Sequence, residues 1–407
     1  MILEVPMSAD ETLALLNPWW EGRRSPVVES WEGRRVRWRP KWIEGLSLEP
    51  FSLNVVIGPR LVGKTTGLHI LIEEELRRRD ALSILYLNLD LAPTFESFKA
   101  LLDTYLRIRK ARALKSCLIV LDEVTSVPGW WRLVKGYVDA GSFRNDVLIL
   151  SGSSSLRLKG EVELLPGRMG KGKELSVLPL SFREYLSVMG VEVEPSEDPR
   201  NFDILLPQAS KIRSYFRDYL RTGGFPLPLN SDPSAAEQLI RSIEGEILRV
   251  GRSLDIAISI ISQLLRAAPS PISFNSVASQ LSISHRTVRE YVEFFSALMV
   301  LGQALYFDGS PKFRKERKFF IRDPFLAKAL SIWTSTEFLE PALYEWVVQE
   351  HLLRKHGSVY YWRDSYEIDA IAGELKIEVK AGKPHRRYPK GVTMLSEDDI
   401  PLFLALI

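Results

Sequence analysis

Four short apolar runs punctuate the first half of the chain: Leu53 to Ile57, Ser83 to Asp90, Cys117 to Glu123, and Val147 to Leu150. Each is too short for a buried helix, and between them lie stretches with helical spacing such as Leu68, Ile70, Leu71 and Ile72. Continuous apolar strands alternating with helices predict a parallel sheet covered on both faces. The segment Leu175 to Leu186 adds a last strand and a helix. Beyond it the period changes. Residues 191–265 repeat at helical spacing around Tyr215, Phe216 and Leu220, then Leu239, Ile240, Ile243, Ile247 and Leu248, and predict a helical unit. From Pro271, Val277, Ala278 and Leu281 form one helix face and Val288, Tyr291, Val292 and Phe295 the next. Ser282, Ile283 and Ser284 turn between them, with Ser284 placed to cap the second helix. Strands at Leu301 to Phe307 and Arg317 to Ile321 complete a helix-turn-helix with a wing, whose basic tip is Lys312, Arg314, Lys315, Arg317 and Lys318. A last unit, residues 326–407, has helices followed by strands at Val359 to Arg363, Ile368 to Ala372 and Leu375 to Lys380. The divisions expected are 1–50, 51–190, 191–265, 266–325 and 326–407.

Composition narrows the function classes. The 407 residues, 45% of them hydrophobic, suffice for about two to four packed domains. The net charge of +3 permits nucleic-acid contact without arguing for it. One cysteine, Cys117 within an apolar run, excludes a disulfide framework and favours a reduced, cytoplasmic setting with a buried, inert thiol. Five histidines scattered along the chain make a structural zinc site improbable. No apolar run reaches membrane-spanning length, and the acidic start does not read as a signal peptide.

The chemistry concentrates where the first apolar run stops. Gly58, Pro59, Arg60, Leu61, Val62, Gly63, Lys64, Thr65 and Thr66 have the spacing G-x-x-x-x-G-K-T between a strand and a helix. Glycines let backbone amides close around phosphates, and the helix N-terminus adds its dipole. Lys64 is placed to reach the β- and γ-phosphates of ATP, and the Thr65 hydroxyl to hold Mg²⁺. Asp122 and Glu123 stand at the carboxyl end of another strand, where open α/β sheets place ligands; they suit a Mg²⁺-binding aspartate and a water-activating glutamate. Ser151, Gly152, Ser153 and Ser154 follow a third strand, whose tip would lie between the first two and could sense the γ-phosphate.

Taken together, GPRLVGKTT, LIVLDEV, VPGWW, ILSGSSS, LPGRMG, VLPLSFREYL and YLRTGGFP resemble the archaeal ATPases of the STAND branch of the AAA+ P-loop superfamily. The resemblance covers most of the chain and implies an α/β fold: an AAA+-type P-loop sheet with a helical lid, a winged helix and a small C-terminal nuclease-like domain. It implies that Lys64 and Thr65 are Walker A, Asp122 and Glu123 Walker B, and Ser151 or Ser153 the first sensor. Arg168 occupies the arginine-finger place, acting in cis or in trans, or else serves its loop. Gly224, Phe225 and Pro226 resemble the G-x-P signature whose proline packs near adenine, or simply turn the chain between helices.

Three further readings stay open. His285, Arg286 and Arg289 would project from the second helix of the helix-turn-helix toward a major groove, with the wing tip on phosphates, although such a module is also a usual non-DNA appendage of these ATPases. In the last unit, Asp369, Glu378 and Lys380 resemble the PD-(D/E)XK nuclease core: Asp369 and Glu378 would hold divalent metal, Lys380 would position water, and Glu345 would add a helix carboxylate. The helix that normally follows is replaced by AGKPHRRYPKG, which argues against robust cleavage. Near the N-terminus, Arg34, Arg35, Arg37 and Arg39 between Trp31 and Trp42 suit nucleic-acid stacking, but better a strand-like segment laid across the nucleotide domain. The leading expectation is a Mg²⁺-dependent ATPase acting on DNA, in an oligomer or alone. The alternatives are a nucleotide-bound switch that works through a protein partner, and an ATP-gated nuclease.

Overall fold

The computed structural model describes residues 7–153, 167–380 and 389–407. The chain forms two compact units, Met1–Leu178 and Pro179–Ile407. In the first, five strands make one sheet: β1 Ser52–Gly58, β2 Ile84–Asn88, β3 Leu118–Asp122, β4 Val147–Ser153 and β5 Glu174–Ser176. Their order is β2-β3-β4-β1-β5, and every pairing is parallel. All residues of β1, β3 and β4 are buried, which is why these strands read as continuous apolar runs rather than as alternating ones. Helices Lys64–Glu75, Phe95–Ala111 and Trp130–Asp139 connect them. Thr94 and Ser97 close a reciprocal capping box at the start of Phe95–Ala111.

The Arg/Trp segment is not a strand. Helix Pro26–Glu32 and the 3-10 turn Lys41–Gly45 flank an irregular stretch. Arg39 fixes it, bridging Glu74 at 2.6 Å and Glu44 at 3.0 Å. Trp42 lies against Gly67 of the P-loop helix, where a Cβ would collide with its ring. Ion pairs and one packed ring hold a segment whose alternation looked extended, so Arg39 is engaged on the domain's own surface.

The second unit has helices Phe182–Val188, Ala209–Thr222, Ala235–Arg249, Leu254–Ala267, Phe274–Leu281, His285–Ala297, Pro324–Thr334, Glu340–His356 and Ile400–Leu406. It also has a separate mixed sheet: β6 Leu301–Tyr306, β7 Arg317–Ile321, β8 Tyr360–Arg363, β9 Glu367–Ala372, β10 Leu375–Lys380 and β11 Thr393–Ser396, in the order β11-β10-β9-β8-β6-β7. Phe274–Leu281 and His285–Ala297 are joined by a turn in which Ser282 is left-handed, and the Ser284 hydroxyl accepts from the Thr287 amide. The β6–β7 hairpin that follows does not stand alone: β6 pairs in parallel with β8, so the expected wing continues into the C-terminal sheet. The AGKPHRRYPKG stretch begins in residues 381–388, which lie outside the described residues; the chain then returns as β11, parallel to β10, and a wholly buried helix Ile400–Leu406.

Candidate functional site

The candidate phosphate loop grows out of β1. At its start Gly58 passes so close to the Val177 carbonyl that any Cβ would collide with it, and the Val177 amide donates to the Ile57 carbonyl at 2.7 Å. At its end Gly63 takes a φ of 95°, a conformation other residues adopt only at a cost, and caps helix Lys64–Glu75. Both glycines of the motif are therefore required by backbone geometry. Lys64 is buried, and its ammonium donates to the carbonyls of Gly58 and Pro59, each at 2.9 Å. The loop thus holds its own cation at its mouth.

Asp122 gathers the hydroxyls around it. Thr65 Oγ1 donates to Asp122 Oδ2 at 2.7 Å, Tyr86 OH donates to the same oxygen at 2.9 Å, and Ser151 Oγ donates to Oδ1. The strand order makes this possible. β4 lies between β3 and β1, so it brings Ser151 beside the end of β3, while Gly58 pairs with Ser153. Asp122 and Thr65 are hard-oxygen donors of the kind Mg²⁺ selects, already converging on one another. Tyr86 is a member of this cluster that sequence reasoning missed. It is two residues from the end of β2, and without knowing that β2 neighbours β3 nothing in the pattern distinguishes it from a core aromatic.

Glu123, next along, has a left-handed backbone at φ 54°. A non-glycine residue held there costs about 1–3 kcal/mol, a strain found at sites where function fixes the geometry. Burial pushes its carboxyl above the usual carboxylate range, against the opposing pull of Lys64 and Arg60. Arg60 lies 3.9 Å from Glu123 Oε2. Arg168, by contrast, is engaged by Asp139 at the end of helix Trp130–Asp139, at 2.6 and 3.1 Å. Ser154 and the first two residues of LPGRMG lie outside the described residues.

The remaining candidates belong to the second unit. Pro226 opens the short helix Pro226–Leu229. The preceding glycines have their own reasons: the Gly224 amide donates to Asp323 Oδ2 at 2.8 Å, and a Cβ on Gly223 would strike that carboxylate. On helix His285–Ala297, Arg286 and Arg289 are exposed but paired with Glu290 and Glu293 one turn on, each at 2.8 Å. His285 packs edge-on against Phe274. At the hairpin, Lys312 donates to Ser310, Lys315 lies over the Tyr306 ring, and Arg314 is exposed. Arg317 and Lys318 do not belong to this tip. Arg317 stacks on Phe274, and Lys318 is only 2% exposed, as β7 is buried from its second residue onward.

Lys318 is instead found among the candidate nuclease carboxylates. Its ammonium lies 2.8 Å from Glu345 Oε1, 2.7 Å from Glu367 Oε1 and 2.7 Å from Asp369 Oδ1. Asp369 Oδ2 accepts from the Val379 amide at 2.9 Å, and Gln349 donates to Glu345 at 2.8 Å. Glu378 forms an ion pair with Lys380. Asp369 and Glu378 are thus on neighbouring strands as the motif requires, but a lysine is bound within the acidic group. No group of three or more His, Cys, Asp or Glu side chains among the described residues is arranged to hold a metal ion.

Comparison with known families agrees with the sheet. Residues 51–186 match the family model described as an AAA domain, and residues 213–337 match one described as a domain of unknown function, DUF8612. No curated protein matches the chain. Among solved structures, Aeropyrum pernix ORC1 in complex with DNA is 15% identical over 69% of this chain and 86% of its own, at a TM-score of 0.34. Aeropyrum pernix ORC2, in ADPNP–ADP complexes, is 13% identical over 77% and 96%, at 0.39. A Thermotoga maritima RuvB variant is 15% identical over 76% and 93%, at a TM-score of 0.28. The match to the AAA domain model spans all five strands of the parallel sheet.

Proposed function

We propose that the protein binds ATP with Mg²⁺ and hydrolyses it, and that the nucleotide state is passed to the helix-turn-helix and hairpin of the second unit, which engage DNA. The observation that carries this reading is the convergence of Thr65 and Ser151 on Asp122 beside the buried ammonium of Lys64. In this reading Lys64 leaves the Gly58 and Pro59 carbonyls to meet the β- and γ-phosphates, and Gly58 to Thr66 wrap them with backbone amides. Thr65 and Asp122 hold Mg²⁺, which when bound neutralises charge on the phosphates. Glu123 takes the proton of the attacking water; burial, by raising its proton affinity, suits it to that task. Ser151 or Ser153 senses the γ-phosphate. By its resemblance to the G-x-P signature, Pro226 would pack near adenine. Arg168 would serve as the arginine finger only once released from Asp139.

For the second unit, the exposed Arg314 and Lys315, with the half-exposed Lys312 beside them, support phosphate contact. The intrahelical pairs on Arg286 and Arg289 argue for weak base readout, since each arginine is already matched to a neighbouring glutamate. The test is ATP turnover by pure protein with and without duplex DNA. Lys64→Ala is expected to abolish most ATP binding and turnover, and wild-type turnover in that variant would refute the P-loop assignment. Glu123→Gln is expected to keep binding while slowing hydrolysis by about 10²–10⁴-fold. Tight ATP binding without measurable turnover in the wild type would identify a switch rather than an ATPase.

A further inference from the structure

The acidic group around Asp369 resembles a nuclease metal site, yet its interior is taken. We infer that the Lys318 ammonium holds the place of the divalent cation, so that the C-terminal unit works without metal and does not cleave nucleic acid. This inference rests on the second unit alone and is independent of the ATPase reading.

Two elements deliver the carboxylates to one point: helix Glu340–His356 gives Glu345, and β9 gives Glu367 and Asp369. The lysine arrives from a third, β7, and is held at ammonium-to-carboxylate hydrogen-bond distances of 2.7 to 2.8 Å by all three carboxylates. Oxygens that a cation would use are thereby engaged. Asp369 accepts from Lys318 at Oδ1 and from the Val379 amide at Oδ2. Glu345 Oε1 accepts from both Lys318 and Gln349. Mg²⁺ or Mn²⁺ binds carboxylate oxygen at about 2.0–2.2 Å in near-octahedral surroundings, so it would have to occupy the place among these three carboxylates that the ammonium already fills.

Withdrawal of the lysine is also opposed by its surroundings. Lys318 is as buried as the core aromatics, its ammonium is 5.8 Å from the Tyr361 ring centre, and β7 is pinned to β6 along its length. Leaving would strand buried carboxylates without a counter-charge, which is costly. The same carboxylates hold Lys318 charged: burial alone would lower its proton affinity, but Glu345, Asp369 and Glu367 together raise it. The group is therefore an internal polar cluster that ties the hairpin to helix Glu340–His356 and to β9. Glu378 and Lys380 pair with each other on β10.

The experiment titrates Mn²⁺ into nucleotide-free, chelator-treated full-length protein and follows bound metal by electron paramagnetic resonance, with a supercoiled-plasmid nicking assay alongside. Wild type and Asp369→Asn are expected to bind Mn²⁺ identically, and the wild type to leave the plasmid intact. Lys318→Met is expected to gain one Mn²⁺ site that a further Asp369→Asn removes. The variant Lys318→Met with Glu367→Gln carries less unbalanced charge and serves the same purpose if the single substitution does not fold. A wild-type Mn²⁺ site that disappears in Asp369→Asn would overturn the inference, as would a folded lysine variant that gains no site.

Discussion

At the residue scale the phosphate loop is governed by what two glycines leave out. Gly58 has no room for a side chain because the carbonyl it faces, that of Val177, belongs to the segment that extends β5, and the Val177 amide is bonded to the Ile57 carbonyl. Gly58→Ala must therefore move backbone rather than a flexible side chain. The expected outcome is a loss of about 1–3 kcal/mol of stability together with weakened ATP binding, checked by urea unfolding and a nucleotide titration; unchanged stability would show that the β1–β5 edge yields freely. The hydroxyl cluster on Asp122 is a different kind of constraint, since each donor removed leaves a carboxylate oxygen short of a partner. Tyr86→Phe is the informative case: it is expected to preserve binding and to slow turnover by roughly the tenfold that one hydrogen bond to a charged group is worth, measured as kcat against KM.

At the element scale, helix Glu340–His356 does more than contribute Glu345. Its His351 is buried, with Nδ1 against the Val347 carbonyl at 2.7 Å and Nε2 accepting from the Phe182 amide at 2.9 Å. A carbonyl can only accept and an amide can only donate, so the neutral tautomer with its proton on Nδ1 is fixed. Burial pushes this histidine down to about 4 from an ordinary 6.5, so the folded state binds its proton less readily than the unfolded chain does. Its contribution is complete above pH 6.5 and is lost as pH falls toward 4, at most about 3 kcal/mol in all. Urea unfolding from pH 7 to 4 is expected to show a shallower pH slope in His351→Gln than in the wild type, and equal slopes would mean that the imidazole accepts a proton in place. The same helix carries Glu350 between Arg322 and Arg354 at 2.8 and 2.7 Å, a second buried ion cluster little more than a turn from the first.

At the scale of the whole molecule, the chain's modest net charge of +3 hides a local asymmetry. The hairpin tip is cationic and largely exposed, while arginines elsewhere, such as Arg39, Arg286 and Arg289, are matched by glutamates. If DNA is the partner, its affinity should come from phosphates neutralised at that tip. Replacing Lys312, Arg314 and Lys315 together by Ala is expected to weaken duplex binding equally across sequences and to flatten the dependence of log K on log salt by about 0.9 for each phosphate no longer neutralised. A salt slope identical to the wild type would take the tip out of the interface.

The sequence by itself determined the nucleotide-domain sheet, because strands buried on both faces must be apolar throughout and a phosphate loop must place its glycines at fixed spacing. It also placed Lys64 and Thr65 at the start of a helix and Asp122 and Glu123 at the end of a strand, because a strand-to-helix turn and a strand end are both written locally. The turn at Ser282 to Ser284 was legible for the same reason: a cap acts on amides three residues away. What only the tertiary structure decided depends on which strands become neighbours. Tyr86 joins Asp122 because β2 lies beside β3. The Arg/Trp segment became an irregular strap, because its partners Glu74 and Gly67 lie far along the chain. Lys318, read as one more charge on a basic tip, is an interior cation, because the pairing of β6 with β8 joins the hairpin to the sheet that carries Asp369 and brings it against Glu345. Charge is visible in a sequence, but the medium that surrounds it is settled only when distant carboxylates close over it.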